Sequence, residues 1–486
     1  MANKKCPVAK KCSGCQLSNM TYEQQLEWKQ KDTEKLLGGF GKVSKIIGAD
    51  DPYNYRNKVQ AVFRSDRNGR IISGVYQSSR NGIVRIDSCM LDDKRADEII
   101  VGIRELLGSF KLHPYDEGTE RGFLRHVLVR VGKNTGEILV TLVGGNSMFP
   151  KKHDFVKALV KRFPDITTVT FSVNRTPEML LLGENNEVLY GEGYITDILC
   201  GKRFRISPHS FYQINHAQTE KLYNYAIKAA KLTKKDVLLD AYSGIGTIGI
   251  IASDYVKQVQ GIEYNASAVR DAVKNCHENG LTRNIAFNRG DAGEFLEKKA
   301  KLGTHYDAVI LDPARTGADR KFLNSLLKIA PERIVYISCN PATQARDLKT
   351  LTKKYTVTDI QPFDMFPHTR HVETVVLLSH KKPDGHINVK VEFGEGEGKV
   401  PFDNIAKRAE SYKPKELVTY KMIKEYIEAK YSFKVHTAYI AEVKRDLGLP
   451  MYDAPNAVEE LKQQRKHPTP EKVEAIKDAL KYFGVI

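Results

Sequence analysis

The chain has 486 residues, 41% of them apolar, well above the ~250–300 residues at which a single core stops growing, so several domains are expected. No run of 18 apolar residues is present to cross a membrane, and the N-terminal MANKKCPVAKKC has charge without an apolar signal region behind it, which points to a cytoplasmic protein with no membrane association. Lys and Arg number 76 against 59 Asp and Glu, a formal +17, of which residues 386–486 carry only +2 from 18 basic and 16 acidic residues. The excess therefore lies in the first 385 residues and favours a polyanionic partner, because each neutralised phosphate releases counterions.

Seven cysteines, an odd number, argue against a disulfide framework. Cys6, Cys12 and Cys15 crowd into CPVAKKCSGC, a spacing suited to soft-metal thiolate ligands. Cys89, in IDSCML after a strand-like IVRID, is the expected fourth ligand. Cys200, closing the apolar run YITDILC, and Cys276, in a helical pattern, read as small buried hydrophobes. Spacing alone leaves zinc and an iron-sulfur cluster both open.

Residues 46–200 contain alternating runs such as YRNKVQAVFR, RIISGVYQ, RHVLVRVG and GEILVTLVGG, the pattern of a mainly β module. Arg56, Lys58, Arg64, Arg67 and Arg70 interleave there with Tyr53, Tyr55, Phe63 and Tyr76, a mixture suited to phosphates and stacked bases.

Residues 237–250, VLLDAYSGIGTIGI, read as strand, glycine turn and helix start. Gly244, Gly246 and Gly249 permit the tight turn by which a ligand approaches a helix N-terminus. Asp240 ends the first strand, Glu263 the second (VQGIE), Asp291 the third (IAFNRGD) and Asp312 the fourth (YDAVILDPAR). Four acids at successive strand ends mark the carboxyl edge of one parallel sheet, with Glu263 placed for ribose hydroxyls. A dehydrogenase would share these features.

Cys339, in SCNPAT after the strand ERIVYIS, stands on a sharp turn at the same edge, as a nucleophile does. Glu373 opens the strand TVVLL beside His368 and His371; a buried carboxylate there can accept a proton, whereas the histidines read as loop hydrogen-bonding groups. Beyond HKKPDGH, segments 417–431, 436–448 and 469–484 are amphipathic helices, the third with Thr469 as cap.

Taken together, LDPAR, SCNPAT, HVETV, DAYSGIGTIG and ISPHSFYQIN make the chain resemble the RNA 5-methyluridine methyltransferases over residues 1 to about 380, and within them the iron-sulfur-containing 23S ribosomal RNA enzymes. The resemblance implies a doubly wound, Rossmann-like α/β domain using S-adenosylmethionine, with Cys339 attacking uracil position 6 and Glu373 removing the carbon 5 proton. It implies cofactor contacts from Gln213, Tyr242, Glu263 and Asp312, with weaker candidates in Asp240, Gly244, Gly246 and Asp291, and a [4Fe-4S] cluster on Cys6, Cys12, Cys15 and Cys89. The expected organisation is a cysteine segment and linking helix over 1–45, a β RNA-binding domain over 46–200, a catalytic domain over 201–381 and a helical extension over 386–486. The partner expected is 23S ribosomal RNA rather than DNA, with the protein a monomer, because transfer-RNA relatives generally lack the cysteine set. Transfer RNA is the alternative substrate. A nucleotide-binding oxidoreductase gives no use for SCNPAT and HVETV, and a noncatalytic iron-sulfur RNA-binding or sensor protein none for Cys339. Many relatives carry a small RNA-binding barrel before the cysteines; with Cys6 so near the first residue, that module is expected to be missing.

Overall fold

The computed structural model describes residues 6–77, 82–175, 182–183, 186–381, 420–449, 467–483 and 485. The described residues up to 381 form one compact unit and those from 420 onward another.

In the first unit, helix α1 (Tyr22–Leu37) starts at a reciprocal cap in which Thr21 Oγ1 accepts from Gln24 N–H and Gln24 Oε1 accepts from Thr21 N–H. A seven-stranded sheet follows, built from β1 (Lys58–Ser65), β2 (Ile71–Tyr76), β3 (Ile83–Arg85), β4 (Leu124–Val131), β5 (Ile138–Gly144), β6 (Ile166–Val173) and β7 (Asn186–Tyr190) in the order β3-β2-β1-β4-β5-β6-β7. Only β5 and β6 pair in parallel. Alternation along β1 sends Val59, Ala61 and Phe63 into a core shared with α2 (Lys94–Ser109) and α3 (Lys152–Arg162). The region read as mainly β is thus a sheet backed by two helices.

Strands β8 (Ile195–Leu199) and β9 (Lys202–Ile206) form a hairpin across the expected boundary at residue 200. Cys200 and Gly201, at φ 49° and 77°, make its turn, the left-handed pair that tight hairpins require. Cys200 is therefore a half-buried turn residue, while Cys276 is buried.

The second seven-stranded sheet contains β10 (Val237–Ala241), β11 (Gln258–Glu263), β12 (Ile285–Arg289), β13 (Ala308–Leu311), β14 (Arg333–Ser338), β15 (Tyr355–Phe363) and β16 (Glu373–His380), in the order β12-β11-β10-β13-β14-β16-β15. The first five are parallel, and β16 and β15 close the edge antiparallel. Helices α4 (His216–Ala229), α5 (Thr247–Ala252), α6 (Ala266–Glu278), α7 (Ala292–Lys301), α8 (Arg320–Ile329) and α9 (Pro341–Leu351) accompany it. All four residues of β13, Ala308–Leu311, are buried, because layers cover both faces of a parallel sheet. Strand order reverses between β10 and β13, so the crevice that binds ligands in such folds opens at their carboxyl ends. Residues 43–47 run beside β15, with Ser44 N–H donating to Ile360 O and Ile47 N–H to Pro362 O. That ties the N-terminal segment to the sheet edge.

The second unit packs α10 (Tyr420–Tyr431), α11 (Thr437–Asp446) and α12 (Pro470–Tyr482) around Ile423, Ile427, Ile440, Val443, Ile476 and Leu480. These are the three helices expected there; residues 417–419 and 484 lie outside the described residues. Among the described residues, no helix is long and apolar enough to cross a membrane.

Candidate active site

The glycine turn leaves β10 with Tyr242 at φ 63°, Gly244 at 55° and Gly246 at 83°. A Cβ at Gly246 would stand 2.6 Å from the Phe287 ring, so this glycine is required by both conformation and space. Glu263 holds the turn from the neighbouring strand, accepting from Gly244 N–H at 3.0 Å and Asn265 N–H at 2.7 Å. Tyr242 packs against Phe322 at 5.3 Å, and its buried hydroxyl makes no hydrogen bond within the described residues. Gln213 reaches the buried Tyr223 hydroxyl, which also feels the charges of Asp312 and Asp240.

The four strand-end acids divide by their bonds. Asp240 accepts from Gly249 N–H at 2.8 Å, and burial pushes its carboxyl up to about 7. Asp291 caps α7 by accepting from Glu294 N–H at 2.9 Å. Asp240, Asp291 and Glu263 thus each brace local structure by accepting backbone N–H groups. Asp312 remains recessed in the crevice, its carboxyl raised by burial to about 7.

Next to Asp312 stand the two residues expected to do chemistry. Ser338 of β14 pairs with Thr374 of β16, so Cys339 and Glu373 fall one rung further along the same antiparallel pair. Asn340 fixes the cysteine turn by capping α9, its Oδ1 accepting from Ala342 N–H and its Nδ2 donating to Arg315 O at 3.1 Å. Cys339, Arg315, Asn340, Arg370 and His371 line a cleft of about 310 Å³ together with Asp32 and Leu36 of α1. Burial pushes the Cys339 thiol up to about 11, with Glu373 and Asp312 adding to the rise and Arg315 opposing it. Glu373, only 3% exposed, is held well above the usual carboxylate range by burial and by Asp312, again against Arg315. Arg315 is the residue of LDPAR that sequence reasoning passed over: its guanidinium is the cationic counterweight to thiol and carboxyl, and it lies 3.4 Å from His371 Nε2.

A raised thiol has a stated pH dependence. Its thiolate fraction grows about tenfold per pH unit until the titration is passed. Alkylation of Cys339 by iodoacetamide in the ligand-free protein, followed by peptide mass spectrometry, should therefore climb from pH 7 to 9.5 without levelling. Asp312→Asn should shift the curve to lower pH by removing a neighbouring negative charge; a plateau below pH 9 in the parent protein would contradict the environment described.

Cys6, Cys12, Cys15 and Cys89 all line a second cavity of about 190 Å³, with Arg56 and Asp92 in its wall. Burial raises the Cys15 thiol to about 11 and that of Cys89 to about 12. The backbone N–H groups of Leu91 and Asp92 face the Cys89 sulfur. Among the described residues, no three His, Cys, Asp or Glu side chains are already drawn together closely enough to hold a metal ion.

The basic middle region differs from its sequence reading. Phe63 and Tyr55 are buried at 1% and 5% exposure and offer no stacking surface, and Arg56 points to the cysteine cavity, 3.7 Å from Asp92. Tyr76 is half exposed with the Arg64 guanidinium 5.6 Å from its ring centre. Lys58 is depressed to about 8 by burial and by Arg130, while Arg67 and Arg70 are exposed.

A family model described as tRNA (Uracil-5-)-methyltransferase matches residues 21–381. An uncharacterised RNA methyltransferase of Halalkalibacterium halodurans is 39% identical over 382 residues, covering 77% of this chain and 83% of that protein. One of Staphylococcus epidermidis is 38% identical over 384 residues, covering 78% and 84%. The solved Pyrococcus abyssi tRNA (uracil-54, C5)-methyltransferase in complex with S-adenosyl-L-homocysteine superposes with a TM-score of 0.62 at 29% identity, over 77% of this chain and 87% of that one. With a glycine turn, a strand-end cysteine and a buried glutamate on one sheet edge, and a family match spanning most of its length, the chain belongs to the RNA uracil-C5 methyltransferase family.

Proposed function

We propose that the chain methylates carbon 5 of a specific uridine in 23S ribosomal RNA, with Cys339 as covalent nucleophile and Glu373 as base. The observation that carries the reading is the placement of Cys339 and Glu373 opposite each other, one rung beyond the Ser338–Thr374 pair and beside Asp312, at the carboxyl edge of the sheet. S-adenosylmethionine supplies the methyl group, and Glu263, Gln213, Tyr242 and Asp312 are the residues disposed to hold it. Carbon 5 of uracil is too weak a nucleophile to take a methyl group unaided. Addition of the Cys339 thiolate at carbon 6 breaks the ring double bond and moves electron density to carbon 5, which then bonds the methyl group as the methyl–sulfur bond of S-adenosylmethionine breaks and S-adenosylhomocysteine leaves. The Glu373 carboxylate takes the carbon 5 proton, the double bond re-forms and the Cys339 sulfur leaves as thiolate. The target base must leave its stack to reach the cleft.

We infer a [4Fe-4S] cluster on Cys6, Cys12, Cys15 and Cys89, which all line one cavity. Four thiols around one cavity supply its donor set, and Arg56 offsets the negative charge of thiolate ligation. Anaerobically purified protein is expected to be brown, with about four irons per chain, and Cys89→Ser to lose them; stoichiometric zinc or no metal would contradict the assignment.

Transfer RNA is the second reading, favoured by the substrate named for the Pyrococcus abyssi structure. Purified protein should be incubated with S-adenosylmethionine and with unmodified 23S ribosomal RNA or transfer RNA, and the products read by nucleoside mass spectrometry. 5-Methyluridine in the ribosomal RNA is expected; its appearance only in transfer RNA would reassign the substrate, and its appearance in neither would sink the function.

A further inference from the structure

Helix α1 buries a polar stripe. Gln25, Lys29 and Thr33, four residues apart, are 0%, 0% and 1% exposed, whereas the inward face of such a helix is ordinarily apolar. A buried ammonium is costly unless paired, so its partners matter. Lys29 Nζ stands 2.5 Å from Asp364 Oδ1 and donates to Phe366 O at 3.0 Å. Gln25 Oε1 accepts from His368 N–H at 2.8 Å, and its Nε2 lies 3.2 Å from His368 Nδ1. All three partners belong to the segment 364–371, which joins β15 to β16 and runs directly into Glu373.

The same segment is gripped from the cysteine side. Leu17 N–H, two residues beyond Cys15, donates to His368 O at 3.0 Å, and the Tyr55 hydroxyl donates to Pro367 O at 3.1 Å. His368 is held at φ 68°, a left-handed conformation that only surrounding bonds maintain in a non-glycine residue. Arg370 lies over the Trp28 ring of α1 at 5.9 Å, while Arg370 and His371 line the Cys339 cleft opposite Asp32 and Leu36. An apolar pair of similar size would serve stability as well as Lys29 and Asp364 do. What the polar pair adds is a fixed geometry for the segment that delivers the base.

We propose that Gln25 and Lys29 are positioning residues for the elimination step: they hold segment 364–371 so that the Glu373 carboxylate meets the carbon 5 proton, and they couple that placement to the cysteine-bearing segment. The proposal rests on the assignment of Glu373 as base. Methyl transfer itself depends on Cys339 and the cofactor crevice, neither of which these residues touch, so their loss should slow the step after it.

The test uses Gln25→Ala and Lys29→Met in the full chain, with steady-state kinetics for kcat and KM and single-turnover reactions for the adduct, both on uridine-containing RNA. At least a tenfold fall in kcat is expected, with KM for S-adenosylmethionine within about twofold and a denaturant-resistant protein–RNA adduct carrying the transferred methyl group accumulating. Loss of packing alone would lower activity without that adduct. Gln25→Ala leaves the ion pair intact and decides the matter should Lys29→Met not fold. Parental turnover, or a lower kcat with no adduct, would overturn the proposal. Failure of the parent protein itself to form an adduct with 5-fluorouridine RNA would instead overturn the covalent reading beneath it.

Discussion

Replacing Cys339 with Ala is expected to abolish methylation, by roughly 10⁴-fold or more, while leaving cofactor and RNA binding within a few fold of the parent. The side chain sits on a turn fixed from both sides, by the Asn340 cap on α9 and by the Asn340 bond to Arg315 O. Removal of one sulfur should therefore leave the backbone in place. It is only half-buried, so little packing is lost. Isotope-labelled methyl incorporation into RNA, beside equilibrium binding of S-adenosylhomocysteine, measures both halves of the expectation. A variant retaining a tenth of parental activity would remove the nucleophile from the mechanism.

Glu373→Gln should fail differently. Glutamine keeps the size and shape of the buried Glu373 side chain, so binding should persist. Without a carboxylate the carbon 5 proton stays on, and the enzyme should stall as a covalent adduct with ordinary uridine RNA after the methyl group has moved. Turnover should fall about 10²–10⁴-fold, the usual worth of a positioned base. Denaturing gel electrophoresis with labelled RNA resolves the adduct, and full turnover without it would move the base elsewhere. The two variants thus break one reaction on opposite sides of methyl transfer.

Much of this site was legible because strand ends announce themselves. VLLDAYSGIG, VQGIE and AVILDPAR each run from apolar strand to polar terminus, and in a parallel sheet all such termini point to one edge. Cys339 and Glu373 were legible as a pair through SCNPAT and HVETV, and the register Ser338 to Thr374 supplies the reason they meet. What the sequence hid were choices made by tertiary packing. Phe63 resembles a stacking residue until strand alternation turns it into the core at 1% exposure, and Arg56 resembles a phosphate ligand until it turns to the cysteine cavity. Asp240 and Asp291 look like Asp312 in sequence, yet each accepts a backbone N–H, from Gly249 and Glu294, as Glu263 does from Gly244 and Asn265. The inward stripe of α1 was invisible for a similar reason: Gln25 and Lys29 look like ordinary solvent-facing residues, and their partners lie more than 330 positions away.

Incubation of the protein with S-adenosylmethionine and RNA in which the target uridine is 5-fluorouridine tests the covalent mechanism most directly, because fluorine at carbon 5 cannot leave as a proton does. Peptide mass spectrometry of the product should find one methylated fluorouracil nucleotide bonded to the Cys339 sulfur. An adduct on another residue, or parental activity on ordinary RNA with no adduct on the fluorinated one, would contradict it.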